Sequence, residues 1–389
     1  MVIGTLFTAP VEGISTRGTG VLHFQGQCIF VDYTVPGDLI IGRIIEEHKD
    51  WARGDVVEIL KPSPQRRTPV CGVFGTCGAC SLQHLAYETQ LTEKTRILQD
   101  ALSRIGGLRA PPQRNCVPAH PWAYRNRVQL HCIRPFHPGA LGFKSRSNTS
   151  IIPLRDCPVA DPGIRQALRE RALLPPLGQD RFTVYSRLKM FLSEGDLCRG
   201  RVSLLNRELL IDAGVFFQSN GNMLELLIKD LRHYAQEADT SLPMADLYCG
   251  VGTFGAFLQD LFPRMDLVEQ NPKALALARE NVQGKGIAYA ALSSDQWVKT
   301  LAPKACYGFM VVDPPRQGLS SGLRQWIVRK GPPVLAYVSC DPATLARDSK
   351  ELVLGGYELQ DLNLYDFYPQ TAHIESLGIF TRNRTFHDA

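Results

Sequence analysis

The stretch that most narrows the possible folds runs from Met244 to Gly255. Met244-Ala245-Asp246-Leu247-Tyr248-Cys249 is a short apolar run that passes straight into Gly250-Val251-Gly252-Thr253-Phe254-Gly255. A buried strand, a glycine turn and a helix in that order bring backbone close to a nucleotide-like ligand in open α/β sheets. The glycines complete a G-x-G-x-x-G pattern, so their spacing alone does not exclude a dinucleotide. A second strand, Met265-Asp266-Leu267-Val268-Glu269, ends in a carboxylate 19 residues after Gly250, a spacing that suits an acid gripping ribose hydroxyls. Asn271-Pro272 then starts another helix. This alternation predicts a doubly wound α/β domain over residues 213–389.

Later strands end in reactive side chains on the same rim. Phe309-Met310-Val311-Val312 leads to Asp313-Pro314-Pro315-Arg316, where the doubled proline stiffens the loop and fixes Asp313 at the carboxyl edge of the sheet. Pro333 to Ser339 is a buried strand ending at Cys340, and Asp341-Pro342 opens a helix. A thiol facing a helix N-terminus is expected to have a lowered pKa and to be thiolate near neutral pH. The plain alternative is an inert core cysteine. Near the end, Asp366 to Ser376 precedes an apolar strand, Leu377 to Phe380, with His373 and Glu375 on one side of an extended segment. A nucleophilic thiol that must later be released implies a general base nearby.

A chain of 389 residues suggests two or three domains, and 44% hydrophobic with 21% charged residues is ordinary for a soluble globular protein. No apolar run is long enough to span a bilayer, and Met1 to Thr5 lacks the features of a signal peptide, so a cytoplasmic location is expected. A net charge of +5 permits a polyanionic partner without requiring one. In a reducing compartment, 11 cysteines call for metal ligation or catalysis rather than disulfides.

Residues 1–62 read as a small β-barrel built from short strands separated by glycine and proline. Residues 61–69, with three prolines, read as a solvated linker. Cys71, Cys77 and Cys80 then stand in a C-x5-C-x2-C loop rich in glycine, and Cys157 is the best candidate for a fourth ligand. Sulfur-only ligation fits zinc or an iron–sulfur cluster, and three local ligands with one remote lean toward [4Fe–4S]. A helix is expected from His84 to Ile105, and a mixed, mainly strand-like region from about Pro111 to Asp212. Its segments 125–131 and 140–144 carry basic side chains, and Tyr124, Arg125 and Arg127 can stack on bases or pair with phosphate.

Four motifs together resemble the RNA 5-methyluridine methyltransferases: Asp246 to Phe254, Asp313-Pro314-Pro315-Arg316, Ser339-Cys340-Asp341-Pro342, and Pro369 to Glu375. Pro36-Gly37-Asp38 followed by strands resembles the TRAM domain, an OB-like RNA-binding barrel, and the barrel with the four cysteines resembles the bacterial 23S rRNA branch of the family. The resemblance implies a Rossmann-like domain using S-adenosylmethionine, a TRAM domain, and a central mixed α/β domain (residues 63–212) holding a [4Fe–4S] cluster. It implies Cys340 as nucleophile and Glu375 as proton acceptor. Gln218, Tyr248, Thr253, Glu269 and Asp313 match the cofactor-binding positions, with Tyr248 and Thr253 where the family often has Phe and Asn. Phe217 is expected to stack on a flipped uracil, and an adenine contact is expected near residues 292–295. The expected partner is RNA, 23S rRNA ahead of tRNA, with no membrane or DNA partner and a monomeric state. DNA cytosine methylation fits poorly, because the loop at Asp313 contains no cysteine. The competing classes are a non-catalytic RNA-binding protein and an iron–sulfur redox protein.

Overall fold

The computed structural model describes residues 2–109, 116–133, 141–301 and 306–382. Alternating burial in the first strands, such as Leu6–Pro10, gives a sheet with one dry face. Six strands pair in the order Leu6–Pro10, Leu39–Glu47, Trp51–Lys61, Gln27–Val31, Gly20–Phe24, Gly13–Ile14. Register shifts between the second and third of these bend the ladder. The result is a curled six-stranded sheet where a small OB-like barrel was expected. Its core holds Phe7, Leu22, Ile29, Val31, Ile40 and Ile44. Gly42 makes room for the Phe7 ring, since a Cβ there would lie 2.2 Å from it. The following linker is less solvated than its composition suggests: buried Asp38 binds the Arg66 guanidinium (2.6 Å) and the Ser63 N–H (2.8 Å).

A five-stranded antiparallel sheet follows, ordered Ile151–Pro153, Leu141–Lys144, Arg127–Cys132, Arg181–Arg187, Met190–Ser193. Of the expected segment 140–144, residue Ala140 lies outside the described residues. Cys77 and Cys157 sit in the core beneath this sheet, with Cys80 packed against it. Among the described residues, however, no group of three or more His, Cys, Asp or Glu side chains could hold a metal ion. Burial pushes the Cys80 thiol up to about 12 and raises those of Cys77 and Cys157, so these sulfurs pack as neutral side chains. The expected metal site at Cys71, Cys77, Cys80 and Cys157, the [4Fe–4S] cofactor and the central iron–sulfur domain are therefore corrected, and with them the tie to an iron–sulfur branch. The glycines of this loop have another use. Gly78 donates to the Lys144 carbonyl (3.0 Å), and a Cβ on it would meet the Ser145 carbonyl at 3.0 Å. The spacing lets a tight loop dock on a strand.

After an antiparallel pair, Arg199–Leu204 with Arg207–Asp212, comes a sheet of eight strands, ordered Ile287–Ala290, Met265–Val268, Met244–Leu247, Phe309–Val312, Val334–Ser339, Glu375–Thr381, Glu358–Tyr365, Cys116–Val117. The first five are parallel, and Glu375–Thr381 runs antiparallel between its two neighbours. The chain order reverses between Met244–Leu247 and Phe309–Val312, which places a crevice at the carboxyl ends of those two strands. The helix expected at 84–105 begins at Tyr87, runs to Ala101 and widens into a π turn over Leu102–Gly106. Its Ile97, Leu98 and Leu102 join the core of this sheet, beside Leu345 and Ala346 of helix Pro342–Leu354. No described helix is long and apolar enough to cross a membrane.

Candidate active site

A cavity of about 880 Å³ opens at the crevice, and Gln218, Tyr248, Thr253, Glu269, Asp313, Cys340 and Glu375 all line it. The fold brings them there by separate routes. Gly250 and Gly252 take left-handed backbone (φ +55° and +79°), and a Cβ on Gly252 would meet Val282 at 2.9 Å. The turn that they permit carries Tyr248 and Thr253 onto the wall. Tyr248 is itself left-handed (φ 63°), uncommon for a residue with a side chain, and its hydroxyl donates to Ser294 Oγ (2.9 Å). Glu269 accepts the N–H of Gly250 (3.1 Å) on one oxygen and that of Asn271 (2.7 Å) on the other, so it also braces the glycine turn. Residues 292–295 do not line the cavity; Ser293 there caps a short helix.

Beneath the turn, Asp246 is fully buried and accepts the Gly255 N–H (3.0 Å) with one oxygen, leaving the other without a partner. Burial first, and then the negative charges of Asp313 and Glu269, push its pKa up to about 8.

Cys340 follows the strand Val334–Ser339, half-buried, with Asp341 capping the next helix through the Thr344 N–H (2.9 Å). Burial and then the carboxylates of Glu375 and Asp313 push the thiol up to about 12, against the opposing charge of Arg316. The expected thiolate is thus corrected: loss of hydration and nearby anions outweigh the helix dipole, and the resting sulfur is protonated. Asp313 is raised by burial to about 7, and Glu375 is raised well above the usual carboxylate range by burial and then by Asp313. Three acids crowd one poorly hydrated wall, and each disfavours charge on the others. His373 opens onto the same cavity, where Arg316 lies 3.3 Å from its Nδ1. Lost hydration, and then Arg316, Arg125 and Lys94, push its pKa down to about 4, so the ring is neutral.

The opposite wall comes from the central sheet and the loop before helix Gly221–Gln236. Arg125, Arg127, His131, Lys144 and Arg146 give it a basic lining. Gln218 Oε1 and Arg127 Nε are buried without a hydrogen-bond partner, which leaves polar capacity for a ligand. Phe216 and Phe217 of the loop both line the cavity, and Phe217, expected to stack on uracil, is the less exposed of the two. Phe217 is 3% exposed and packs edge-on against Tyr185 (5.8 Å), whereas Phe216 is 62% exposed with Arg127 over its ring (5.7 Å). Adjacent identical residues carry no sequence signal for which one is exposed.

The model of the tRNA (uracil-5-)-methyltransferase family matches residues 187–384. An uncharacterized RNA methyltransferase of Treponema denticola is 33% identical over 92% of this chain and 95% of its own. The chain belongs to this family. Another relative, the 23S rRNA (uracil(1939)-C(5))-methyltransferase RlmD of Acidithiobacillus ferrooxidans, is 30% identical over 96% of each chain. Among solved structures, the tRNA (uracil-54, C5)-methyltransferase of Pyrococcus abyssi, in complex with S-adenosyl-L-homocysteine, shares the fold with a TM-score of 0.72. That similarity covers 96% of this chain and 100% of the other at 24% identity. The family model spans the glycine turn and every cavity strand end from Asp313 to Glu375, and it leaves the curled N-terminal sheet outside.

Proposed function

We propose that this protein transfers a methyl group from S-adenosylmethionine to C5 of a uridine in RNA. The observation that carries this reading is one cavity shared by the glycine turn, Asp313, Cys340 and Glu375. The residues present fit the donor. The left-handed glycines allow close backbone approach, Gln218 offers a buried carbonyl without a partner, and Asp313 is a carboxyl whose ionisation a nearby cation favours. When bound, S-adenosylmethionine supplies an electrophilic methyl group on a positively charged sulfur.

C5 of uracil is a weak nucleophile, and Cys340 supplies what it lacks. The resting thiol is protonated, so Cys340 must pass its proton to Asp313 in the filled cavity, which leaves Glu375, the other neighbouring carboxyl, as a carboxylate for the later step. Both ionise more readily once a cation shares their wall. The Cys340 sulfur then adds to C6, and the electron pair of the C5–C6 double bond moves toward O4 as an enolate. C5 takes the methyl group as the enolate electron pair returns through C5 to form the new C–C bond, and the methyl–sulfur bond breaks with its electron pair leaving on the now neutral donor sulfur. Its remaining proton passes to the Glu375 carboxylate, the C5–C6 double bond re-forms, and the C6–S bond breaks to release Cys340.

The test is covalent trapping on RNA containing 5-fluorouridine, whose C5 fluorine cannot leave as a proton. A stable adduct through Cys340 that requires S-adenosylmethionine is expected. Tight RNA binding that ignores the methyl donor and forms no adduct would instead identify a non-catalytic RNA-binding protein. For the RNA itself, the rRNA reading draws on relatives named for 23S rRNA, and the tRNA reading on the family description and the shared P. abyssi fold. Methylation of total RNA from cells lacking the gene, followed by mapping of 5-methyluridine, separates them. Product confined to tRNA rejects rRNA, and the converse rejects tRNA.

A further inference from the structure

The segment 366–374 delivers Glu375 to the cavity, yet it is built unlike a loop. Connecting segments normally run over the surface, where water satisfies their backbone. Here all but Tyr368 and His373 are buried, and partners more than two hundred residues earlier satisfy much of the backbone from Asp366 to Ala372. Gln90, fully buried on helix Tyr87–Ala101, accepts the Gln370 N–H (2.9 Å) and donates to the Gln370 side-chain oxygen (3.0 Å). Gln370 is left-handed (φ 66°), a conformation that costs energy without such support. One turn along the helix, Lys94 donates to Asp366 Oδ1 (2.6 Å) and to the Tyr368 carbonyl (3.0 Å), and Tyr87 donates its hydroxyl to Asp366 Oδ2 (2.8 Å). The Lys94 and Asp366 side chains are 1% and 0% exposed.

A buried ion pair of this kind is a poor source of stability, because desolvation offsets most of the attraction, whereas it does fix geometry. The position matters too. Asp366 directly follows Tyr365, and Tyr365 is the residue paired with Glu375 across the ladder. A shift at Asp366 therefore reaches Glu375 through a single strand pairing.

We propose that Lys94, bound to Asp366 and assisted by Gln90, is a positioning residue for proton removal, aligning the Glu375 carboxylate with C5 of the methylated uracil. This rests on the function proposed above. The step served is transfer of the C5 proton to Glu375 as the C5–C6 double bond re-forms and the Cys340–C6 bond breaks. Misplacing the base slows that step alone, so enzyme should accumulate as adduct on ordinary RNA.

The test compares wild type with Lys94→Met and the milder Tyr87→Phe, which leaves the ion pair in place and guards against misfolding of the first. Folded protein is assayed on total RNA from cells lacking the gene for kcat, for KM of RNA and of methyl donor, and for the fraction of Cys340 bound to unfluorinated RNA. Lys94→Met is expected to lower kcat roughly 10- to 100-fold, as small misplacements of a catalytic group do. Both KM values should fall with kcat as adduct rises from trace to a major fraction, leaving kcat/KM nearly unchanged, and Tyr87→Phe should move the same way by less. A fall in rate with no adduct in both variants, or no change per folded molecule, overturns the inference. If wild type itself forms no Cys340 adduct on 5-fluorouridine RNA, the underlying reaction fails, a distinct result that sinks both.

Discussion

Cys340 and the cysteines of the central sheet begin from the same condition and arrive at different chemistry. Burial raises the thiols of Cys77, Cys80 and Cys157, as it raises that of Cys340. Cys77 and Cys157 belong to the same core as Val128, Leu130 and Phe182, with Arg125 and Cys71 near enough to act on both thiols, and neither lines the cavity. Cys340 instead stands at a strand end, on a cavity wall with two carboxyls and an arginine. Thiol spacing along the chain thus says less about reactivity than the place of the thiol in the sheet. The contrast can be broken by substitution. Cys340→Ala is expected to abolish methyl transfer, by at least about 10⁴-fold, because no other group in the mechanism activates C5. Retained turnover would reduce Cys340 to the status of the other buried thiols.

Next in size is the base. Glu375→Gln keeps the shape of the side chain and removes its proton affinity, with an expected loss of about 10²- to 10⁴-fold, the usual worth of a positioned acid–base group. Unlike Cys340→Ala, this variant should still form adduct and hold it on ordinary RNA, visible as a protein–RNA band that survives denaturation. A smaller effect belongs to Gln218. Replacing its unpartnered amide with Leu should raise the KM for methyl donor or RNA about tenfold while kcat changes little, the pattern of a lost binding hydrogen bond.

Much of the catalytic edge was legible in the chain because it is local. A strand, a turn and the residue at the strand end occupy a few consecutive positions, and their pattern does not depend on the rest of the molecule. The glycine turn, Glu269, Asp313 and Cys340 were assignable to one rim on that basis alone, whereas Tyr248 came from the family resemblance. What sequence reading missed depends on distance or environment. Lys94 meets Asp366 across 272 residues, and nothing near either marks the pair. The raised Cys340 thiol reflects desolvation and two carboxyls from other strands, which the local helix dipole argument omits. The four cysteines misled for the converse reason: a local spacing suited to a metal is equally suited to a glycine-rich loop docking closely on a strand.

Cys157→Ala sharpens the comparison from the other side. Trimming a well-packed buried thiol should cost about 1–2 kcal/mol of stability, as modest core truncations do. Turnover per folded molecule should stay at the wild-type level. A turnover loss exceeding the loss of folded protein would mean that the central cysteines take part in the reaction.

The smallest predicted effect separates the two regions by pH. Asp246, beneath the glycine turn, has its pKa raised to about 8, so the folded state holds its proton where the unfolded chain has released it. Its contribution to stability is complete below the ordinary aspartate pKa of about 4 and drains away as pH rises toward 8. Asp156 in the central region behaves in the opposite sense. Hydrogen bonds from Arg165 and then Arg169 hold its carboxyl below the usual range, so its contribution is present near neutrality and is lost as the solution is acidified. Asp246→Asn keeps an acceptor for the Gly255 N–H while removing the titration, and it should flatten the decline in thermal stability between pH 4 and 8. Asp156→Asn should leave that decline intact and reduce the sensitivity to acid. Identical pH profiles for wild type and Asp246→Asn would mean that the carboxyl ionises freely in the folded protein, and the crowding of acids beneath the catalytic rim would then be weaker than its burial implies.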